Sequence, residues 1–205
     1  MIVEIHPENP QPRKIQQAVD VLNKGGVIAY ATGSVYGFGA DVYNQKAVDK
    51  VYRIKQTSPK KHNPFSFLCA DLSEISKYAV VSNSVYRMMK RLVPGPYTFI
   101  LEATRDVPRL CMSKQKTVGI RVPDHPVALA ILQELGRPII STSAKRETDE
   151  WPLNDPYDIQ ETFNEVDMVL DSGLGGVNAS TVIAFNSYGE IEVLREGAGP
   201  IDDLY

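Results

Sequence analysis

The sequence predicts an α/β fold: a single domain, over about residues 12–199, with a twisted mixed sheet and flanking helices. Three observations carry that expectation. Segments with helical spacing of apolar residues alternate with short buried runs, and no long linker separates them. Some neighbouring strand segments, 97–103 with 117–122 and 180–185 with 190–195, have no helix between them, which calls for antiparallel pairs inside the sheet. Finally, 205 residues of which 43% are hydrophobic suffice for one core without staples. The two cysteines, Cys69 and Cys111, exclude a disulfide-rich scaffold and a four-cysteine zinc site. The opening MIVEIHPENP lacks a basic end followed by an apolar stretch, and no apolar run approaches the ~20 residues of a membrane span. A cytoplasmic protein without a disulfide or structural metal is therefore expected.

The elements follow in order. Ile15, Ala18, Val19 and Leu22 predict a helix over 11–24, stopped by Gly25-Gly26. A buried strand over 27–31 leads into TGSVYGFGAD, expected to be a glycine-bearing loop. Val48, Val51, Tyr52 and Ile54 give a helix over 47–55, and the lysine-rich QTSPKKHN is a loop. A strand over 65–70 and a helix over 82–93 come next, the helix ended by Pro94-Gly95-Pro96. Strands over 97–103 and 117–122 precede a helix over 126–135, which Gly136 closes. A strand over 138–141 runs into the polar STSAK; residues 146–157 read as an acidic loop and 158–165 as a short helix. Strands over 166–170, 180–185 and 190–195 complete the chain.

Charge is distributed unevenly. Residues 1–145 hold 20 Lys and Arg against 11 Asp and Glu, while 146–205 hold 2 against 14. The densest basic run, Lys46 to Lys61, contains Lys46, Lys50, Arg53, Lys55, Lys60 and Lys61 against Asp49 alone, a composition suited to nucleotides or nucleic acid. Several motifs are absent: there is no P-loop, no G-x-G-x-x-G and no G-x-S-x-G elbow. His6, His62 and His125 lack metal-ligand spacing. What remains are polar elements at strand ends, where α/β sheets place ligands. They are Thr32 and Ser34 with Tyr36 as a stacking face, Arg121 at the end of TVGIR, Ser141-Thr142-Ser143-Ala144-Lys145, Ser180-Thr181, and Arg195-Glu196-Gly197. An arginine leaving a buried strand needs a partner, and its planar fork suits a carboxylate or phosphate.

In order, the chain shows TxxxYGxGAD, a helix ending in Ile54-Lys55, N-P-F at 63–65, PGPYTFIL at 94–101 and GIRVPxHP at 119–126. STSA at 141–144, ASTV at 179–182 and REG at 195–197 follow. This set resembles the YrdC-like domain family over nearly the whole chain, and the HPENPQ and LDSGLGG segments are most similar to its YciO branch.

The resemblance implies a basic concave cleft and a nucleotidyltransferase of the threonylcarbamoyl-AMP synthase type. Such an enzyme joins L-threonine, bicarbonate and ATP, with Mg2+ accompanying the ATP, and its product serves transfer RNA modification. It implies a threonine-binding set of Thr32, Tyr36, Arg121, Ser141 and Thr181, and a nucleotide-binding set of Lys55, Ser143 and Arg195; no catalytic residue is assigned. The family's K-x-R is here Lys55-Gln56-Thr57 and its S-x-N is Ser143-Ala144-Lys145, so Lys60, Lys61 and Lys145 are expected to supply the replaced contacts. A noncatalytic protein binding double-stranded RNA or tRNA through the same cleft is the alternative.

Overall fold

The computed structural model describes residues 1–58, 65–73, 75–185 and 189–204. Its elements are β1 (Ile2–Glu4), α1 (Pro12–Asn23), β2 (Ile28–Ala31), β3 (Tyr36–Asp41), α2 (Gln45–Ile54) and β4 (Ser66–Leu68). Next come α3 (Ile75–Tyr78), β5 (Ala79–Val80), α4 (Asn83–Leu92), β6 (Tyr97–Ala103), β7 (Thr117–Arg121) and α5 (Pro126–Leu135). The chain ends with β8 (Ile139–Ser143), α6 (Pro156–Thr162), β9 (Met168–Asp171), β10 (Thr181–Phe185) and β11 (Ile191–Arg195). One mixed sheet joins the strands in the order β1-β9-β2-β3-β8-β4-β7-β6-β10-β11, with β5 added alongside β6. Pairs β1–β9, β2–β9, β4–β7 and β6–β10 are parallel, and the others are antiparallel. No described helix is long and apolar enough to cross a membrane, and no disulfide joins the buried Cys69 and Cys111.

Two expectations change. No strand is expected over 2–4, because three residues carry no periodicity; parallel pairing with β9 makes one. TGSVYGFGAD is not a loop throughout. Only residues 32–35 turn, and 36–41 form β3, hydrogen-bonded to β2 and β8. Its glycines are side-chain clearances: a Cβ on Gly39 would lie 2.7 Å from Tyr30 Cε1. The turn itself needs Gly33, whose φ is +78° and whose added Cβ would meet the Asp124 carbonyl oxygen at 2.3 Å.

Strand alternation divides the sheet into two faces. One face carries Tyr36, Phe38, Phe67, Phe99 and Ile120, packed with α2 and α4 residues such as Val51, Tyr52, Val85 and Met89. Each large side chain buried there contributes about 1.5–3 kcal/mol. The opposite face carries Ile28, Tyr30, Ile139 and Leu68, covered by Ile15, Val19 and Leu22 of α1 and Val127, Ile131 and Leu132 of α5. Beyond these two helices the same face continues over β3, β8, β4, β7, β6 and β10 with small and polar residues. They include Gly37, Ser143, Ser66, Gly119, Thr98 and Val182, and they line a cleft.

Candidate active site

The cleft encloses about 680 Å³, within the usual range for small-molecule sites. At one end stands Arg121, the last residue of β7, with only 6% of its surface exposed. Its Nε donates to the Gly95 carbonyl at 3.3 Å and its Nη2 to the Thr32 carbonyl at 2.7 Å. Nη1 donates to Ser34 Oγ at 2.8 Å and reaches Thr32 Oγ1 at 3.4 Å. The tight turn at 32–35 therefore exists around this guanidinium: Thr32 Oγ1 donates to the Val35 carbonyl at 2.7 Å and lies 3.1 Å from Ser34 Oγ. All these partners are neutral, and Arg121 makes no ion pair among the described residues. Burial pushes its pKa down to about 10; the positive charge of Arg195 acts the same way, while Tyr30 and Asp124 oppose it. A buried cation held only by neutral groups, with at least one of its five N–H groups still available, is a seat for an anion.

Lys55 occupies the other end, just past α2, and is 3% exposed. Its ammonium donates to the Ser143 carbonyl at 3.0 Å and the Lys145 carbonyl at 2.8 Å, leaving one proton for a ligand. Burial pushes its pKa down to about 8; the charges of Glu147 and Asp149 raise it, and Lys145 lowers it. Arg195, at the end of β11, forms a third cationic corner. Its Nε and Nη2 donate to the Ser180 carbonyl at 3.1 and 2.7 Å, and burial lowers its pKa. Between the corners, Ser141 Oγ accepts from Tyr30 OH at 3.1 Å, and Ser180 Oγ lies 2.8 Å from Thr98 Oγ1. Burial raises Tyr30 to about 12, so its hydroxyl stays protonated and donates.

A family model described as "Telomere recombination" (Sua5/YciO/YrdC) matches residues 20–197. This chain belongs to the Sua5/YciO/YrdC family. It is 43% identical over 199 residues to the YciO protein of Escherichia coli K12, covering 96% of this chain and 95% of that one. The crystal structure of E. coli YciO superposes with a TM-score of 0.92 at 40% identity, covering 100% and 99% of the two chains. A threonylcarbamoyl-AMP synthase of Coxiella burnetii is 33% identical over 182 residues, 87% of this chain and 96% of that one. The structure of P. abyssi Sua5 complexed with L-threonine superposes with a TM-score of 0.90 at 26% identity, covering 100% of this chain and 59% of that one.

Of the positions suggested by family resemblance, Thr32, Lys55, Arg121, Ser141, Ser143, Lys145 and Arg195 line the cleft together. Two do not. Tyr36 alternates with Gly37, so its ring lies on the opposite face of β3, fully buried; its hydroxyl donates to the Gly173 carbonyl at 2.8 Å and accepts from the Ser172 N–H at 3.2 Å. It anchors the LDSGLGG segment and offers no stacking face. Thr181 is also fully buried; its Oγ1 donates to the Gly199 carbonyl at 2.6 Å and accepts from the Gly197 N–H at 3.0 Å, and Ser180 lines the cleft instead. Lys145 lines the cleft, yet its ammonium donates to the carbonyls of Asp149 at 2.7 Å and Glu150 at 3.3 Å. Lys60 and Lys61 lie outside the described residues.

Ser34, Thr142 and Ser180, named from the sequence as strand-end hydroxyls, also line the cleft, and the remaining lining residues are not singled out by sequence. Val182 faces the cleft and pairs with Thr98, so period-two counting along ASTV would have selected Ser180 over Thr181. Glu147 stands in a loop without periodicity, and Ser113, Gln115 and Thr117 form a polar wall that no motif marks.

Proposed function

We propose that this protein forms a carbamoyl-type adenylate from ATP, bicarbonate and a small amino acid, as a threonylcarbamoyl-AMP synthase or a paralogue with the same cleft. The observation that carries this reading is Arg121: a buried cation whose partners are all neutral, at one end of a cleft that the cationic Lys55 and Arg195 also line. In this reading Arg121 takes the carboxylate of L-threonine, while the Thr32 and Ser34 hydroxyls orient its polar atoms. Lys55 and Arg195 face the phosphates and offset the charge that develops as pyrophosphate leaves. The amine of threonine condenses with bicarbonate to a carbamate with loss of water, and a carbamate oxygen attacks the α-phosphorus as its bond to the bridging oxygen of pyrophosphate breaks. Mg2+ would arrive with ATP: Glu147 is the one carboxylate among the described lining residues, so phosphate oxygens and water would supply most of its ligands.

The test is pyrophosphate release from Mg2+-ATP, with L-threonine and bicarbonate supplied together and omitted singly. Release that requires all three supports a synthase. Tight tRNA or double-stranded RNA binding without any release would favour the noncatalytic alternative.

A further inference from the structure

Thr98 and Ser180 place two buried hydroxyls in the cleft wall, 5% and 7% exposed. Their oxygens lie 2.8 Å apart, so one hydroxyl proton is spent between them. The second proton has no acceptor among the described residues. Arg195 Nη2, 3.4 Å from Ser180 Oγ, is itself a donor. A buried donor without an acceptor is costly, and a ligand in the cleft can complete it.

The pair stands between two cations. Phe99 pairs with Ile120 on the antiparallel β6–β7 ladder, so Thr98 and Arg121 are the next cross-strand neighbours. Arg121 Nε reaches the Gly95 carbonyl at the entry to β6. On the other side, Arg195 Nε and Nη2 hold the Ser180 carbonyl. The positive charge of Arg195 works against that of Arg121. An anion lying between the two relieves that repulsion and takes the spare hydroxyl proton as a hydrogen bond.

We propose that the Thr98–Ser180 hydroxyl pair seats the one-carbon reactant, holding bicarbonate and then the carbamate oxygen that does not attack phosphorus. This rests on the adenylate-forming reading of the cleft. If Arg121 takes the amino-acid carboxylate and Lys55 and Arg195 face the phosphates, the one-carbon unit has to lie between those groups, where the pair stands. The neutral amine bonds to the bicarbonate carbon, and one bicarbonate oxygen leaves as water with a proton from the amine. One carbamate oxygen then attacks the α-phosphorus while the other accepts from the hydroxyl pair. The hydroxyl proton is shared in that bond and is not transferred.

The experiment compares wild type, Thr98→Val, Thr98→Ser and Ser180→Ala. L-Threonine affinity is measured by calorimetry without bicarbonate, and pyrophosphate release from Mg2+-ATP is measured against bicarbonate concentration. Thr98→Val should keep wild-type threonine affinity and lower kcat/KM for bicarbonate roughly 10- to 150-fold, the factor for a hydrogen bond to a charged group. Ser180→Ala should act in the same direction, and Thr98→Ser should restore most of the loss. Wild-type bicarbonate dependence in a folded Thr98→Val protein overturns the proposal. So does an equal loss of threonine affinity without bicarbonate, which would assign the pair to the amino acid. Should the wild type release no pyrophosphate, the adenylate reading falls, and line broadening of 13C-bicarbonate in the presence of L-threonine still decides the seat. Broadening lost in Thr98→Val supports it; equal broadening in both proteins, or none in the wild type, overturns it.

Discussion

The two ends of the cleft hold their cations by different means. Arg121 is set in rigid scaffold: it leaves a central strand and is gripped by the 32–35 turn and the Gly95 carbonyl, all neutral. Lys55 is gripped through two carbonyls, of Ser143 at the end of β8 and of Lys145 in the loop that follows, with Glu147 and Asp149 of that loop acting on its charge. The first arrangement has no internal anion to compete with a ligand and fits one small carboxylate. The second carries its own counter-charge, so its attraction for anions depends on pH and on loop order. On the proposed function, specificity would reside at the scaffolded end and adjustability at the loop end.

The largest effect should come from breaking the scaffolded end. Arg121→Met leaves the Thr32 and Gly95 carbonyls and Ser34 Oγ without their donor, which costs about 1–3 kcal/mol of stability. If Arg121 takes the amino-acid carboxylate as proposed, the substitution also removes a charge-assisted contact and is expected to weaken L-threonine binding roughly 10- to 150-fold. Arg121→Lys should keep part of the attraction and lose the fork. Threonine titration with thermal unfolding of both variants checks this. Wild-type threonine affinity in a folded Arg121→Met protein would erase the contrast between the two ends.

A smaller effect sharpens the distinction between lining and supporting residues. Thr181→Val strips the Gly199 carbonyl and the Gly197 N–H of their side-chain partner, and Tyr36→Phe does the same to the Gly173 carbonyl. Each should lower stability by about 1–2 kcal/mol while leaving ATP and threonine affinities at wild-type values. Denaturant melts paired with titrations measure both. A selective loss of threonine binding in either variant would return that residue to the site.

These two residues also show how much is legible in the sequence. The fold, and seven cleft-lining positions from Thr32 to Arg195, follow from strand ends and an ordered family pattern. Tyr36 is misplaced because the glycines of YGFGAD suggest a loop, although Tyr36, Phe38 and Ala40 alternate as a buried strand should. Thr181 and Ser180 are adjacent hydroxyls, and only the pleat decides which one faces a ligand. Glu147 gives no signal at all. Its place depends on a loop whose path is set by main-chain bonds to Lys55, and such bonds leave no trace in residue type.

The smallest expected effect separates the burial of Lys55 from every other titration in the protein. A lysine whose folded pKa is about 8, against 10.5 in the unfolded chain, binds its proton less tightly when folded. Between these values the unfolded state holds more protons, so this group makes stability rise with pH over that window. Below about pH 8 both states are charged and the full burial cost applies; above about 10.5 both are neutral and the cost is gone. Tyr30, Tyr52 and Cys111 act with the opposite sign, because burial raises each to about 12 and the unfolded chain loses their protons first. The Lys55 contribution is therefore read as a difference, wild type minus Lys55→Met, in which those groups cancel. That difference should grow in favour of wild type by about 1 kcal/mol from pH 7.5 to 10, allowing for water at the cleft mouth. Denaturant unfolding at four or five pH values measures it. A flat difference would mean that Lys55 keeps its ordinary pKa, and that the loop end holds its charge as firmly as the Arg121 end does.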